Sequence, residues 1–337
     1  MKMPPALAGQ LEAMPPHLLH LRRRERWSRA EIAFWLALVA VYFVFPKSLL
    51  FASQILITGL FALSLDLVLG YAGIVTLGHA AFFGLGAYTA GLLSVHGLRD
   101  PVAGLAAAAA VGAFAGWVTS FLVLRGNDLA RLMLTLGIGL LLYEAANSAT
   151  PITGGVDGLQ GVEIGPVLGL FRFDLLGRTA YAYVLVVVFL LFVLVRALMV
   201  SPYGLSLACI RENPRRAQAI GVPIRARLTN IYTLSAMLAA VAGALLTQTT
   251  EFVGIDTLGF QRSADLLIML IVGGTASLYG GFVGAALFLL AQDRLADLNP
   301  VYWLFWLGIL LILCTLYLED GVVGALRRLA ARWGARR

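Results

Sequence analysis

The sequence predicts an all-α polytopic membrane protein of about ten transmembrane segments (range about 8–10), some of them short or broken, with both termini cytoplasmic. Three observations carry that reading. The 337 residues are 60% hydrophobic and only 13% charged, with mean hydropathy +0.87, whereas soluble chains carry about 25% charged residues. The apolar residues fall in continuous runs approaching the roughly 20 residues that a helix needs to cross hydrocarbon; barrel strands would alternate instead. The formal charge of +7 sits mainly as arginine at the ends of those runs. It therefore reads as orientation information and not as a nucleic-acid surface.

Residues 1–30 form a basic arm with Pro4-Pro5, Pro15-Pro16 and Arg22, Arg23, Arg24, Arg26 and Arg29, which belongs inside. The first span, 31–45, ends before Pro46-Lys47 and reads as a retained anchor, because no small-residue cleavage site follows it. Further spans are expected at 48–69, 74–96, 101–124, 128–149, 180–200 and 228–249. The connecting loops then alternate, with the arginine-rich ones at 125–131 and 201–227 inside and a glycine-rich segment at 150–179 outside. The transmembrane domain extends over 31–326, and a basic tail over 327–337 carries Arg327, Arg328, Arg332, Arg336 and Arg337.

The stretch 265–290 reads either as one helix or as two pieces broken around Gly273-Gly274 and Gly280-Gly281. Parity favours two, since an inside tail after a span at 301–318 requires an even number of crossings. The first piece has about 13 apolar residues, or roughly 20 Å, against a hydrocarbon core of about 30 Å. It must be enclosed by other helices or belong to a broken helix lining a polar cavity. A second glycine-broken stretch, LGYAGIVTLGHAAFFGLGAYTAGLL at 69–93, lies in the first half. Interrupted segments in both halves are the pattern of transporters built from related halves.

The charged loop at 203–227 interrupts this apolar series. Asn213-Pro214 reads as an N-cap and first helical residue, and Gly221 and Pro223 as the stop, giving a helix of about two turns outside the lipid. Its first turn carries Arg215 and Arg216, where the helix dipole disfavours cations. Two readings stand open: an acidic partner, or arginines that only mark a cytoplasmic loop.

Asp66, Thr76, Gly78 and His79 lie within or beside the second and third spans, and Glu144 and Asn147, three apart, share a face of the fifth. They either approach a hydrated path or tie helices and freed backbone groups together. Gly154, Gly155, Asp157 and Gly158 mark the outer loop as a connector or a receiving surface. Cys209 and Cys314 read as packing residues. The sequence contains no GxxxxGK[ST] loop, HExxH or paired-cysteine motif. No catalytic constellation is visible, so uphill transport would draw on an ion gradient or a separate subunit.

In order along the chain, LSLDLVLGYAGIVTLGHAAFFGLGAYTAGLL (63–93), TGGVDGL (153–159), IRENPRRAQAIGV (210–222) and LIVGGTASLYGGFVGAAL (270–287) resemble the LivM-type permease of branched-chain amino acid ABC importers. Urea and short-chain amide permeases share this pattern. The resemblance implies a non-enzymatic, multi-pass subunit of a bacterial inner membrane, binding no cofactor itself. It implies pairing with a second, LivH-like permease, two cytoplasmic ATPase subunits carrying ATP and Mg, and a periplasmic substrate-binding protein. It places ATPase coupling on Arg211, Glu212, Asn213, Pro214, Arg215, Arg216 and Gly221. Asp66 stands where Asn is common in that family, and Pro214 where Glu is common. An ion-coupled secondary transporter using Asp66, His79 or Glu144 is the alternative from another class.

Overall fold

Helix α1 (Arg29–Val44) begins the described structure with a capping box, in which Ser28 and Glu31 exchange bonds of 3.2 Å. The structure is a computed structural model describing residues 27–317, except 168, 170, 172, 175 and 176, together with 321–325 and 328. The basic arm up to residue 26 and the tail other than Arg328 lie outside the described residues.

There follow α2 (Leu49–Asp66), continued by a π-turn over Leu67–Tyr71, then α3 (His79–Val95), α4 (Pro101–Val123) and α5 (Asp128–Ser148). The segment after α5 contains a single turn, α6 (Thr150–Thr153). Beyond it come α7 (Arg178–Val200), α8 (Pro202–Glu212), α9 (Pro214–Ala219) and α10 (Ile224–Thr250). The last third is α11 (Phe260–Gly273), α12 (Gly280–Leu298) and α13 (Trp303–Tyr317). Among the described residues, extended pairing is confined to the isolated bridges Leu159–Val253 and Val167–Phe171. Five stretches, Leu49–Tyr71, Pro101–Val123, Asp128–Ser148, Arg178–Val200 and Ile224–Thr250, are long and apolar enough to cross a membrane by length and composition. Shorter apolar helices include Ala30–Val44, His79–Val95 and Trp303–Ile312.

Two differences from the sequence reading matter. The third span was expected from residue 74, yet α3 starts at His79, and Thr76 and Gly78 lie in a non-helical segment before it. Gly73 takes φ +73°, and the Thr135 carbonyl of α5 occupies the space a Gly78 side chain would need. The segment is thus held against α5 instead of winding into helix. In the last third the chain does break between Gly273 and Gly280, and α11 starts earlier than expected, at Phe260. With 14 residues, α11 is roughly 21 Å long, too short to span by itself. It packs as a hairpin on α12: a Cβ on Gly273 would fall 1.9 Å from the Gly280 carbonyl oxygen, and one on Gly284 1.9 Å from that of Met269.

The 27-residue α10 is the axis of the packing. Lipid tails are as apolar as leucine, so helices associate there mainly through close backbone approach between small residues. The middle of α10 supplies them: Ala236, Ala239, Ala240, Ala242, Gly243 and Ala244 are all buried. A Cβ on Gly86 of α3 would sit 1.9 Å from the Ala240 carbonyl oxygen, and one on Gly243 1.9 Å from that of Phe83. On the other side, Cβ atoms on Gly112 and Gly116 of α4 would come within 2.4 Å of Ala240 and 2.5 Å of Ala236.

The loops sort to two ends. At one end Ser94 donates to the Glu163 carbonyl, Gly165 N–H to the Arg99 carbonyl, and Leu159 pairs with Val253, while Gly177 packs on Leu50. At the other end, Tyr203 of α8 donates to the Arg227 carbonyl at 3.0 Å beneath the Arg227 guanidinium. Burial pushes the Tyr203 hydroxyl up to about 12, so it stays a donor across the physiological range.

Gly86→Ala should lower the thermal midpoint of the detergent-purified protein, because overpacking against a backbone carbonyl costs about 1–3 kcal/mol. Gly137→Ala in α5, where no atom lies within 4 Å of the added Cβ, should leave it unchanged or raise it. Equal midpoints for the two variants would contradict the close α3–α10 approach.

Candidate functional site

The two glycine breaks meet, and Asp66 joins them. Asp66 ends α2 with a fully buried side chain. Its Oδ1 accepts from the Ala276 N–H at 2.7 Å and its Oδ2 from the Ser277 N–H at 3.1 Å. Both donors belong to the turn between α11 and α12, where helix termination has freed backbone N–H groups. The two carboxylate oxygens thus satisfy two groups that lipid could not. Ala276 sits at φ +56°, a left-handed conformation that costs a non-glycine residue roughly 1–2 kcal/mol, and its bond to Asp66 holds it there. Gly274, at φ +109°, supplies the preceding reversal. Inside the turn, Gly280 N–H donates to the Ser277 carbonyl and hydroxyl.

The π-turn brings the other break to the same place. A Cβ on Gly70 would be 2.0 Å from Asp66 Oδ1 and 2.5 Å from the Ala276 nitrogen. Only glycine fits between the carboxylate and the opposite turn. The Gly70 carbonyl then accepts from Arg211 of α8, whose side chain also lies over Gly73. Arg211 is the cation whose charge acts on Asp66.

His79 opens α3 at the level of Ser235, 11 residues into α10 or roughly 16 Å from its start. Its Nε2 is 2.9 Å from Ser64 Oγ and 3.4 Å from Ser235 Oγ. The serine hydrogens are already committed, Ser64 to the Phe61 carbonyl at 2.6 Å and Ser235 to the Ser64 carbonyl. Both serine oxygens can therefore only accept, which assigns the proton to Nε2 and leaves Nδ1 a buried acceptor lone pair. The ring stacks on Phe61 at 5.7 Å. The start of α3 is further tied by Ala80 N–H donating to Ser263 of α11 at 2.9 Å and Leu77 N–H to Thr135 at 3.3 Å. Thr76 is buried beside this segment.

Of the residues singled out from the sequence, Asp66, Gly273 and Gly274 come together with Gly70 at the joined breaks, while Thr76, Gly78 and His79 form a second group about the start of α3. Glu144 and Asn147 do not join either group. Glu144 is exposed and Asn147 half-buried near the C-terminal end of α5, where Ser148 donates to Glu144 at 3.4 Å. Gly154, Gly155 and Gly158 take φ of +77°, +57° and +75° and fold the segment after α5 onto Val253, leaving Asp157 exposed.

The charged stretch around α9 folds as its caps dictate. Asn213 Oδ1 accepts from the Arg216 N–H at 3.0 Å. Gly221 at φ +85° closes α9 with bonds from Gly221 N–H to Gln218 and from Val222 N–H to Ala217, a Schellman motif. Arg215, Arg216 and Glu212 are exposed, and Arg211 points back to Gly70. Sequence reasoning missed Ser64, Ser235, Thr135 and Ser263. Nothing in the segment that carries each of them announces its partner across the bundle.

Over residues 48–315 the chain matches the family model described as the branched-chain amino acid transport system permease component. It belongs to that family. It is similar to the high-affinity branched-chain amino acid transport system permease protein LivM of Salmonella typhimurium, with 30% identity over 325 residues, 86% of this chain and 74% of that protein. The Escherichia coli protein of the same name is 31% identical over 291 residues, 77% of this chain and 66% of that one. A probable branched-chain amino acid transport permease protein LivH of Methanocaldococcus jannaschii is 29% identical over 238 residues, 67% and 72% of the two chains. No solved structure matches.

Asp66→Asn keeps the side-chain volume but turns an amide NH2 toward one of the two backbone donors. An unsatisfied buried donor costs about 1–3 kcal/mol, so the thermal midpoint in detergent should fall. An unchanged midpoint would contradict the two-donor role.

Proposed function

We propose that this chain is one permease half of an ATP-driven importer of branched-chain amino acids. In this reading it pairs with a LivH-like permease, receives substrate from a periplasmic binding protein and is driven by two cytoplasmic ATPases that carry ATP and Mg. It sits in the bacterial inner membrane with both termini and α8–α9 cytoplasmic, and α1–α5, α7 and α10–α13 supply ten membrane segments. The observation that carries the proposal is the family match over 48–315, which includes α9. That short helix is capped at both ends and presents Arg215 and Arg216 to solvent. The similarity to proteins named LivM and LivH supports a paired permease.

The geometry supports a coupling role for α9 in physical terms. Six residues make a helix too short to persist alone in water, so its two caps prepare a rigid projection where a partner can press. Two exposed arginines in the first turn oppose the helix dipole and favour an acidic groove on that partner. The line of contact inward then runs from α8 through Arg211 to Gly70 and Asp66, and so to the α11–α12 turn.

The double variant Arg215→Glu, Arg216→Glu should still insert but should lose ATPase subunits on co-purification, and ATP-dependent uptake in vesicles with them. Unchanged association together with unchanged uptake would refute docking through these residues. Uptake by the chain alone, driven by an ion gradient and indifferent to ATP, would refute the importer assignment itself.

A further inference from the structure

Near one end of α7 the Arg196 guanidinium lies 4.7 Å over the ring of Trp27, just before α1, and near the other end Tyr181 donates to the Leu38 carbonyl at 2.7 Å. The two helices therefore run antiparallel. Between these contacts they do not close. Trp35 and Phe189 meet with ring centroids 4.8 Å apart and act as spacers. They leave a groove of about 500 Å³ bounded by Ile32, Leu36 and Val39 on α1 and by Val186 and Leu190 on α7. Its surface is wholly apolar, and those five side chains are exposed.

Length, width and charge together select the occupant. Trp27, at the end of the groove, and Val39 are twelve positions apart, or roughly 18 Å along the helix. One leaflet spans about half of a hydrocarbon core of roughly 30 Å. The groove is therefore as long as one leaflet is deep. Its volume over that length gives a mean cross-section of about 28 Å², whereas a helix of about 10 Å diameter needs roughly 80 Å². Its walls also lack the small residues through which helices approach in lipid. An extended hydrocarbon chain fits where a helix does not. Trp27 ends the groove in the way aromatic residues mark the membrane–water boundary. Immediately before it in the chain stand Arg22, Arg23, Arg24 and Arg26 against the single anion Glu25, and such clusters beside a span attract anionic headgroups. Arg196 is already engaged, bonding Glu31 at 3.2 Å and covering Trp27. It seats the tryptophan and leaves the headgroup to the preceding arginines.

We propose that this groove is a specific site for one anionic phospholipid of the leaflet beside α8–α9. One acyl chain lies between α1 and α7, and the arginines that precede Trp27 hold the phosphate, whose oxygens match the guanidinium fork. The bound chain supplies the packing that α1 and α7 do not give each other. Because α7 ends at Val200 and α8 begins at Pro202, the lipid also steadies the base of α8. The site needs only a membrane location and is independent of the substrate transported.

The test places the full chain, purified with whatever subunits accompany it, in vesicles of equal parts phosphatidylcholine and phosphatidylglycerol. The probe is phosphatidylglycerol carrying a diazirine on one acyl chain. After irradiation, labelled peptides should map to 27–39 and 185–190, and the labelling should saturate. Added phosphatidylglycerol should displace it and added phosphatidylcholine should not. The exposed face of α4 around Phe114 and Phe121 reports bulk lipid, so its labelling should respond equally to both. Leu36→Trp with Leu190→Trp, two exposed positions where added bulk fills the groove, should cut groove labelling about tenfold and leave α4 labelling unchanged. Arg22→Gln, Arg23→Gln and Arg24→Gln together, which leave Arg26 and Arg29 to orient α1, should make phosphatidylcholine an equal competitor. Groove labelling that does not saturate, or that phosphatidylcholine displaces equally in the wild type, would reduce the groove to bulk lipid contact and overturn the proposal. Labelling at 27–39 and 185–190 that survives the two tryptophans would overturn it as well. A groove unlabelled in the wild type, whether freed by deleting residues 1–21 or by removing an accompanying subunit, belongs to that protein segment and not to lipid.

Discussion

Much of this structure depends on one buried carboxylate accepting two backbone N–H groups from a chain segment 210 residues away. In lipid, a helix can break only if the protein supplies partners for the groups the break exposes. The break between α11 and α12 exposes them, and Asp66 supplies the acceptors. Gly70 lets the two segments touch, and Ala276 is held in a conformation alanine otherwise avoids. The contact therefore does two things with one side chain: it ends the short α11 inside the bundle, and it fixes the turn after α2 against the turn after α11.

With those ends fixed, the remaining packing is a matter of small residues. Helix α10 offers an alanine and glycine face, and α3 and α4 press glycines against it at backbone distance. Such interfaces gain dispersion contacts over the area that bulky side chains would hold apart. They also leave no room for adjustment, so movement in this bundle is expected where side chains replace backbone contact. The Phe61–Phe83 pair, with ring centroids 4.4 Å apart, is such a place. Helix α8 has its own link to the breaks through Arg211 and the Gly70 carbonyl, so the charged end of the bundle and the polar centre share a continuous set of contacts.

The sequence alone determined the all-helical membrane class, the caps of α9 and the fact that both halves contain glycine breaks. These follow from local rules: continuous apolar length, the alternation of arginine between loops, Asn-Pro at a helix start, and glycine where φ turns positive. The Asn213 cap and the Gly221 stop were legible because each acts on its own neighbours within four residues. Asp66 and His79 were also visible, as polar groups where polar groups are expensive, but what they do was open.

Tertiary structure decided that. Asp66 meets residues 276 and 277, and His79 meets Ser64 on the preceding helix and Ser235 far along the chain. Nor could local pattern place the start of α3 at His79, since GIVTLGHAAFF is mostly apolar and its glycines mark a break without fixing where the helix resumes. What stops it is the Thr135 carbonyl of another helix, packed where a Gly78 side chain would lie. Periodicity and charge are properties of a segment, so a sequence displays them. The partner of a buried hydrogen bond is a property of the packed bundle, and only the folded chain brings the donor and its acceptor within 3 Å of each other.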